Sequence, residues 1–214
     1  MDEEIQIINE NTRREKFKNF ITKYKKILIG SSSAFVLIIF LFFLYSDFKH
    51  KNQLKIADKF NEITTSYDNK KNENIVQDLT SIIYKKDKTY SPLALNFLID
   101  NKIVNDKEKI NKFFDIIINE IKHEKEIKNL ITYKQALYNA ESSAENNLLK
   151  ILNPILNSDS IWKSHSLYLM AEYFYSKNEK EKSKEFLNRI IELDDANPNI
   201  KIEAQKRIRR DFSD

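Results

Sequence analysis

Between Lys26 and Asp47 the chain changes character: the twenty residues Ile27 to Ser46 carry no formal charge, and Ala34 to Leu44 are almost wholly apolar. A helix of that length rises about 30 Å, the thickness of a bilayer's hydrocarbon core, and satisfies its backbone polar groups internally, as lipid demands. The pattern predicts one membrane span over 27–46. A cleaved signal peptide would have a shorter apolar core followed by small residues at a cleavage site. Here the exit reads Phe43-Leu44-Tyr45-Ser46-Asp47, so the segment is expected to persist as an anchor.

The spacing on both sides of the span is helical. Upstream, Phe17, Phe20, Ile21 and Tyr24 recur at i, i+3, i+4, i+7 with Lys and Arg between them, a basic amphipathic helix suited to a membrane surface or to a simple positive flank. Thr12-Arg13-Arg14-Glu15 fits a capping box and predicts that this helix starts at Thr12, leaving residues 2–11 without structure. Downstream, Leu54, Ile56, Ala57, Phe60 and Ile63 continue the pattern to about residue 66, with a break at Asp68-Asn69. Further helices are predicted over 73–86, 91–104, 106–122, 124–140, 143–157, 160–177, 179–193 and 197–211. Pro92 and Pro198 suit first turns, whereas Pro154 falls within a helix and should kink or end it.

Charge sets the orientation. The fifteen residues before the span, Thr12 to Lys26, hold seven Lys or Arg and one acid; the fifteen after it, Asp47 to Asn61, hold four Lys and two acids. Lys and Arg stay preferentially in the cytoplasm, so the N-terminus is expected inside and the C-terminal domain outside, with Tyr24 and Tyr45 at the two interfaces. The organisation is then a cytoplasmic tail (1–26), an anchor (27–46) and one translocated domain (47–214), all α, large enough to bury a core.

That domain repeats. Asn105-Asp106-Lys107-Glu108-Lys109 returns as Asn178-Glu179-Lys180-Glu181-Lys182, and at the same offset of 73 (178 − 105) Phe113, Phe114, Ile117 and Ile118 match Phe186, Leu187, Ile190 and Ile191. This is two units of about 36, near the tetratricopeptide period, with an intermediate unit centred on Ala136. Asn105 and Asn178 stand where a helix reverses, the left-handed position usually given to glycine. In the last unit Leu167, Met170, Ala171 and Phe174 take the first-helix packing positions, with Leu187 and Ile190 on the second helix and Ala171 as the small residue at the crossing. Ser183 replaces the usual alanine, and Trp162 is not at the consensus tryptophan position.

With its acidic start, basic helix, single anchor and helical repeats, the chain resembles the YfgM-like ancillary subunits of the bacterial SecYEG translocon. The resemblance implies a tetratricopeptide-like periplasmic domain that assists newly translocated proteins at the inner membrane. Its implied partners are the translocon and translocated or periplasmic proteins. An anchored envelope or cell-division scaffold is the alternative of the same kind, and a membrane-anchored hydrolase that of another.

Composition narrows the chemistry. The net charge of +4, from 36 basic and 32 acidic residues, describes a mixed surface, with no nucleic-acid footprint. With no Cys, disulfides and thiol chemistry are excluded; with one Gly, Gly30 in the span, glycine-rich phosphate cradles are too. His50, His123 and His165 are scattered without metal-ligand spacing, and neighbours such as Ser164, His165 and Ser166 face different ways on a helix. No catalytic centre, cofactor, metal or small-molecule substrate is expected. Asp194 and Asp195 read as a turn and cap before the last helix, and Arg207, Arg209 and Arg210 as cations at its C-terminal end. Ile161, Tyr168 and Tyr175, at sevenfold spacing, form a second apolar stripe, a candidate groove for a partner or else part of the core.

Overall fold

Residues 2–67 and 74–212 are described by a computed structural model, and no strand occurs among them. Their helices are α1 (Asp2–Thr65), α2 (Ile75–Tyr84), α3 (Tyr90–Asp100), α4 (Lys107–Glu120), α5 (Lys125–Asn139), α6 (Glu145–Leu156), α7 (Lys163–Ser176), α8 (Lys180–Glu192) and α9 (Pro198–Asp211). The periodicity of 3.6 thus places every domain helix within a few residues of its expected bounds. Stops and starts follow local chemistry. The Asp106 carboxylate accepts the Lys109 amide at 3.0 Å to open α4. Asn197, rather than Asp194 or Asp195, caps α9 by accepting the amides of Asn199 and Ile200, with Pro198 in the first turn where its missing N–H costs nothing. Pro154 ends α6 within two residues. The break expected at Asp68-Asn69 lies outside the described residues.

The chain divides into two compact units, Met1–Lys55 and Ile56–Asp214. In the first, α1 is one helix long and apolar enough to cross a membrane, and none of its most apolar stretch is buried. Phe17, Phe20, Ile21 and Tyr24 are exposed, and the rings of Phe20 and Tyr24 meet at 4.9 Å. The helix does not begin at Thr12; it begins at Asp2. Neither Gly nor Pro stands between Asp2 and Thr12, so nothing interrupts propagation of the helix through the expected cap.

In the second unit each helix from α2 to α9 packs on the next, and α7 also meets α9. The buried side chains fall into two clusters. One gathers Ile63 with the apolar faces of α2, α3 and α4, including Leu79, Ile83, Leu98, Phe113 and Phe114. The other gathers α6, α7 and α8 with Ala204 of α9. Helix α5 serves both: Ile131 and Tyr138 join the first cluster, and Tyr133, Ala136 and Ala140 join the second.

The repeat seen in the sequence is also a repeat of helix starts. Helices α3 and α7, α4 and α8, and α5 and α9 begin 73 residues apart (163 − 90, 180 − 107, 198 − 125). The turns differ in one respect. Asn178 has φ 62°, but Asn105 does not take the left-handed conformation; Lys102 does, with φ 52°. The reason is length: α3 has 11 residues and α7 has 14, so the reversal after α3 comes about one turn earlier. Both turns close alike, with Ile103 N–H donating to Leu98 O and Glu179 N–H donating to Phe174 O.

Ser183, which stands at the usual alanine position, is fully buried in α8, and its hydroxyl has no hydrogen-bond partner. Size is thus what the position requires. Ser183→Ala removes an unsatisfied buried hydroxyl at almost constant volume, and is expected to stabilise the domain by about 0.5–1 kcal/mol. A shift of the urea midpoint to higher concentration checks this.

Candidate interaction surface

The six positions assigned to hairpin packing, Leu167, Met170, Ala171, Phe174, Leu187 and Ile190, are all buried. They lie between α7 and α8, where the Phe174 and Phe186 rings meet at 5.4 Å. Lys182 closes this hairpin from outside. Its ammonium lies 4.8 Å from the Phe174 ring centroid and 2.8 Å from the carboxylates of both Glu145 and Glu179. Hydrogen bonds to Glu145 and then Glu179 hold it firmly protonated.

The second stripe of α7 does not form an open groove. Tyr168 and Tyr175 are half-buried against α9, with Phe212 just after that helix at 6.1 Å from the Tyr175 ring and the Arg207 guanidinium 4.7 Å above it. Arg207 is itself nearly buried, with Nη1 2.9 Å from Glu172 Oε1 and Nε 2.7 Å from Asp211 Oδ2. Arg210, then Arg207, holds the Asp211 carboxyl below the usual carboxylate range. The arginines at the end of α9 therefore do not form a free cationic cluster, because Arg207 turns inward to clamp α9 onto α7. Ile161 separates from the stripe altogether. It lies in the turn before α7, whose first residue is Lys163, so sevenfold spacing does not place it on that helix, and it is 66% exposed.

Sequence spacing missed an aromatic group that joins α5 to the start of α7. Tyr133 stacks on Trp162 at 5.8 Å and 23°, and His165 lies 5.1 Å from Trp162. Beside it, Ser160 Oγ donates to Glu126 Oε2 at 2.7 Å, and Lys125 pairs with Asp159. Trp162 and His165 are three apart on one helical face, a legible signal, but Tyr133 lies on a different helix and no local pattern announces it.

Around His165, Ser164 Oγ accepts the Asn197 amide at 3.2 Å and Ser166 is buried with its hydroxyl unpartnered, so the three adjacent side chains do not converge. Among the described residues no group of three or more His, Asp or Glu side chains is placed to hold a metal. His123 and His165 are both held below their ordinary pKa of 6.5, chiefly by burial, and His123 also by Lys88 and Lys128. A histidine kept neutral by the fold takes up its proton more readily when unfolded. Its contribution to stability is therefore complete above pH 6.5 and declines as pH falls below it. Urea midpoints should fall on going from about pH 7.5 to about 5.5, and His165→Gln should flatten part of that slope.

No family model matches the chain, and searches among curated proteins and solved structures return no similar chain.

Proposed function

We propose that this chain is a non-catalytic, single-pass inner-membrane protein, cytoplasmic at its N-terminus. Its periplasmic helical-hairpin domain, of tetratricopeptide type, holds protein partners beside the Sec translocon and assists newly translocated chains. The observation that carries the reading is one covalent chain joining an uncovered apolar helix to a domain of consecutive hairpins with recurring starts. A helical solenoid offers an extended surface for partners, and an anchor raises its effective concentration near whatever emerges from the membrane. The hairpin type is supported by the 73-residue offset shared by three helix pairs and by the buried small residues Ala171 and Ser183 on the two helices of one hairpin.

Crosslinking in native membranes, followed by identification of the captured proteins, tests the placement. The expected products contain translocon subunits and translocating chains. Capture of other envelope proteins with no Sec component would overturn the placement while leaving the anchored scaffold standing.

A further inference from the structure

One end of the Ile56–Asp214 unit carries a feature the scaffold reading does not use. The chain comes into this unit at Ile56, and ring contacts fix which turns share that end. Phe60 meets Tyr90 at 5.7 Å, and Tyr67 meets Phe97 at 5.3 Å, so α3 runs parallel to the last turns of α1 and begins near the incoming chain. The turn from α2 to α3, residues 85–89, therefore lies at the Ile56 end. Lys86 reaches Glu120 at 2.6 Å and brings the turn from α4 to α5 beside it. The Lys125–Asp159 and Ser160–Glu126 contacts then bring in the turn from α6 to α7.

In or beside each of these three turns a large apolar side chain faces solvent: Tyr84 at the end of α2 at 49%, Ile127 at the start of α5 at 45% and Ile161 before α7 at 66% exposure. Interleaved with them, Lys85, Lys88, Lys122 and Lys128 are exposed and make no ion pair among the described residues. The acids in and beside these three turns are mostly engaged. Asp87 accepts the amides of Thr89 and Tyr90, Glu120 pairs with Lys86, Asp159 pairs with Lys125, and Glu126 binds Ser160. Among the described residues Glu124 has no such partner, nor do the exposed Asp58 on α1 and Glu192, Asp194 and Asp195 by the turn from α8 to α9, which lies beside the start of α7.

We propose that this end of the domain docks on the bilayer surface, its lysines on anionic lipid headgroups and Tyr84, Ile127 and Ile161 in the interface between headgroups and acyl chains. The proposal rests on the reading of 27–46 as a membrane anchor. Nine residues, Asp47 to Lys55, separate that span from Ile56, and they reach no further than about 30 Å even when fully extended. The Ile56 end is therefore confined near the headgroups. Spaced apolar knobs among lysines suit a fluid interface, where lysine stems lie along the apolar layer and their ammonium groups reach phosphates. A folded partner would instead ask for one contiguous, shaped patch.

The chain's single tryptophan, Trp162, adjoins Ile161 and serves as the probe. The full chain is reconstituted into vesicles of anionic phospholipid with bromines placed high on the acyl chains, and washed with alkaline carbonate. The expected result is loss of Trp162 emission relative to unbrominated vesicles. The loss should disappear in zwitterionic lipid and in an Ile127→Asp, Ile161→Asp double variant that keeps its helical circular dichroism. Retention in the vesicles with Trp162 unquenched would overturn the docking proposal and leave the anchor intact. Quenching that survives both changes would overturn the assignment to these residues and lysines. Release of the chain by carbonate would overturn the anchor reading, and the docking with it.

Discussion

Phe174→Ala is expected to cost the domain about 3–5 kcal/mol, a large share of the stability of a unit this size. Phe174 is 1% exposed, and its ring touches Phe186 of α8 and lies under the Lys182 ammonium. Truncation would remove apolar burial, the ring contact and the cation's face together, and would leave a cavity between two helices whose other contacts hold them apart. Lys182 would retain Glu145 and Glu179, so the outer clamp should survive the loss of the interior. Urea unfolding of the full chain in detergent, followed by Trp162 fluorescence, reads this directly, because Trp162 packs on the same cluster. A cost below about 1 kcal/mol would mean that the α7–α8 contact is not the packed interior described above.

The second large effect comes from adding volume. Ala171 is fully buried within the cluster that also holds Leu187 and Ile190. Ala171→Leu should overpack the helix crossing and cost about 1–3 kcal/mol, whereas Ser176→Leu, at an exposed site, should be nearly neutral. Because α7 to α9 close the series of packed helices, the strain should appear first as faster amide exchange in α7 to α9, with α2 to α4 still protected. Equal stability of the Ala171 and Ser176 variants would remove the best local support for a tetratricopeptide-like hairpin.

Most of the architecture was legible because it is written in short-range spacing. The uncharged run from Ile27 to Ser46 and the 3.6-residue periodicity of the later segments depend only on neighbours along the chain. What the sequence left open or misplaced lies where distant residues decide. The stripe containing Tyr168 and Tyr175 reads as groove or core until α9 lies across it, and that approach depends on Arg207 meeting Glu172, two residues on different helices. Asn105 and Asn178 occupy equivalent sequence positions, yet the shorter α3 moves the left-handed residue to Lys102. Tyr133, Trp162 and His165 come together only when α5 and α7 are adjacent. The start of α1 failed for a different reason: a good capping sequence at Thr12 does not stop a helix that nothing else interrupts.

The central claim, an anchored domain outside the cytoplasm, meets its most direct test in trypsin treatment of bacterial spheroplasts carrying the full chain with an N-terminal tag. Lys49, Lys51 and Lys55 are exposed and lie between the span and the packed unit. Cleavage is expected there, with release of the helical domain and retention of a tagged, membrane-embedded fragment resistant to alkaline carbonate. An intact chain protected from trypsin, or a chain that carbonate washes from the membrane whole, would contradict it.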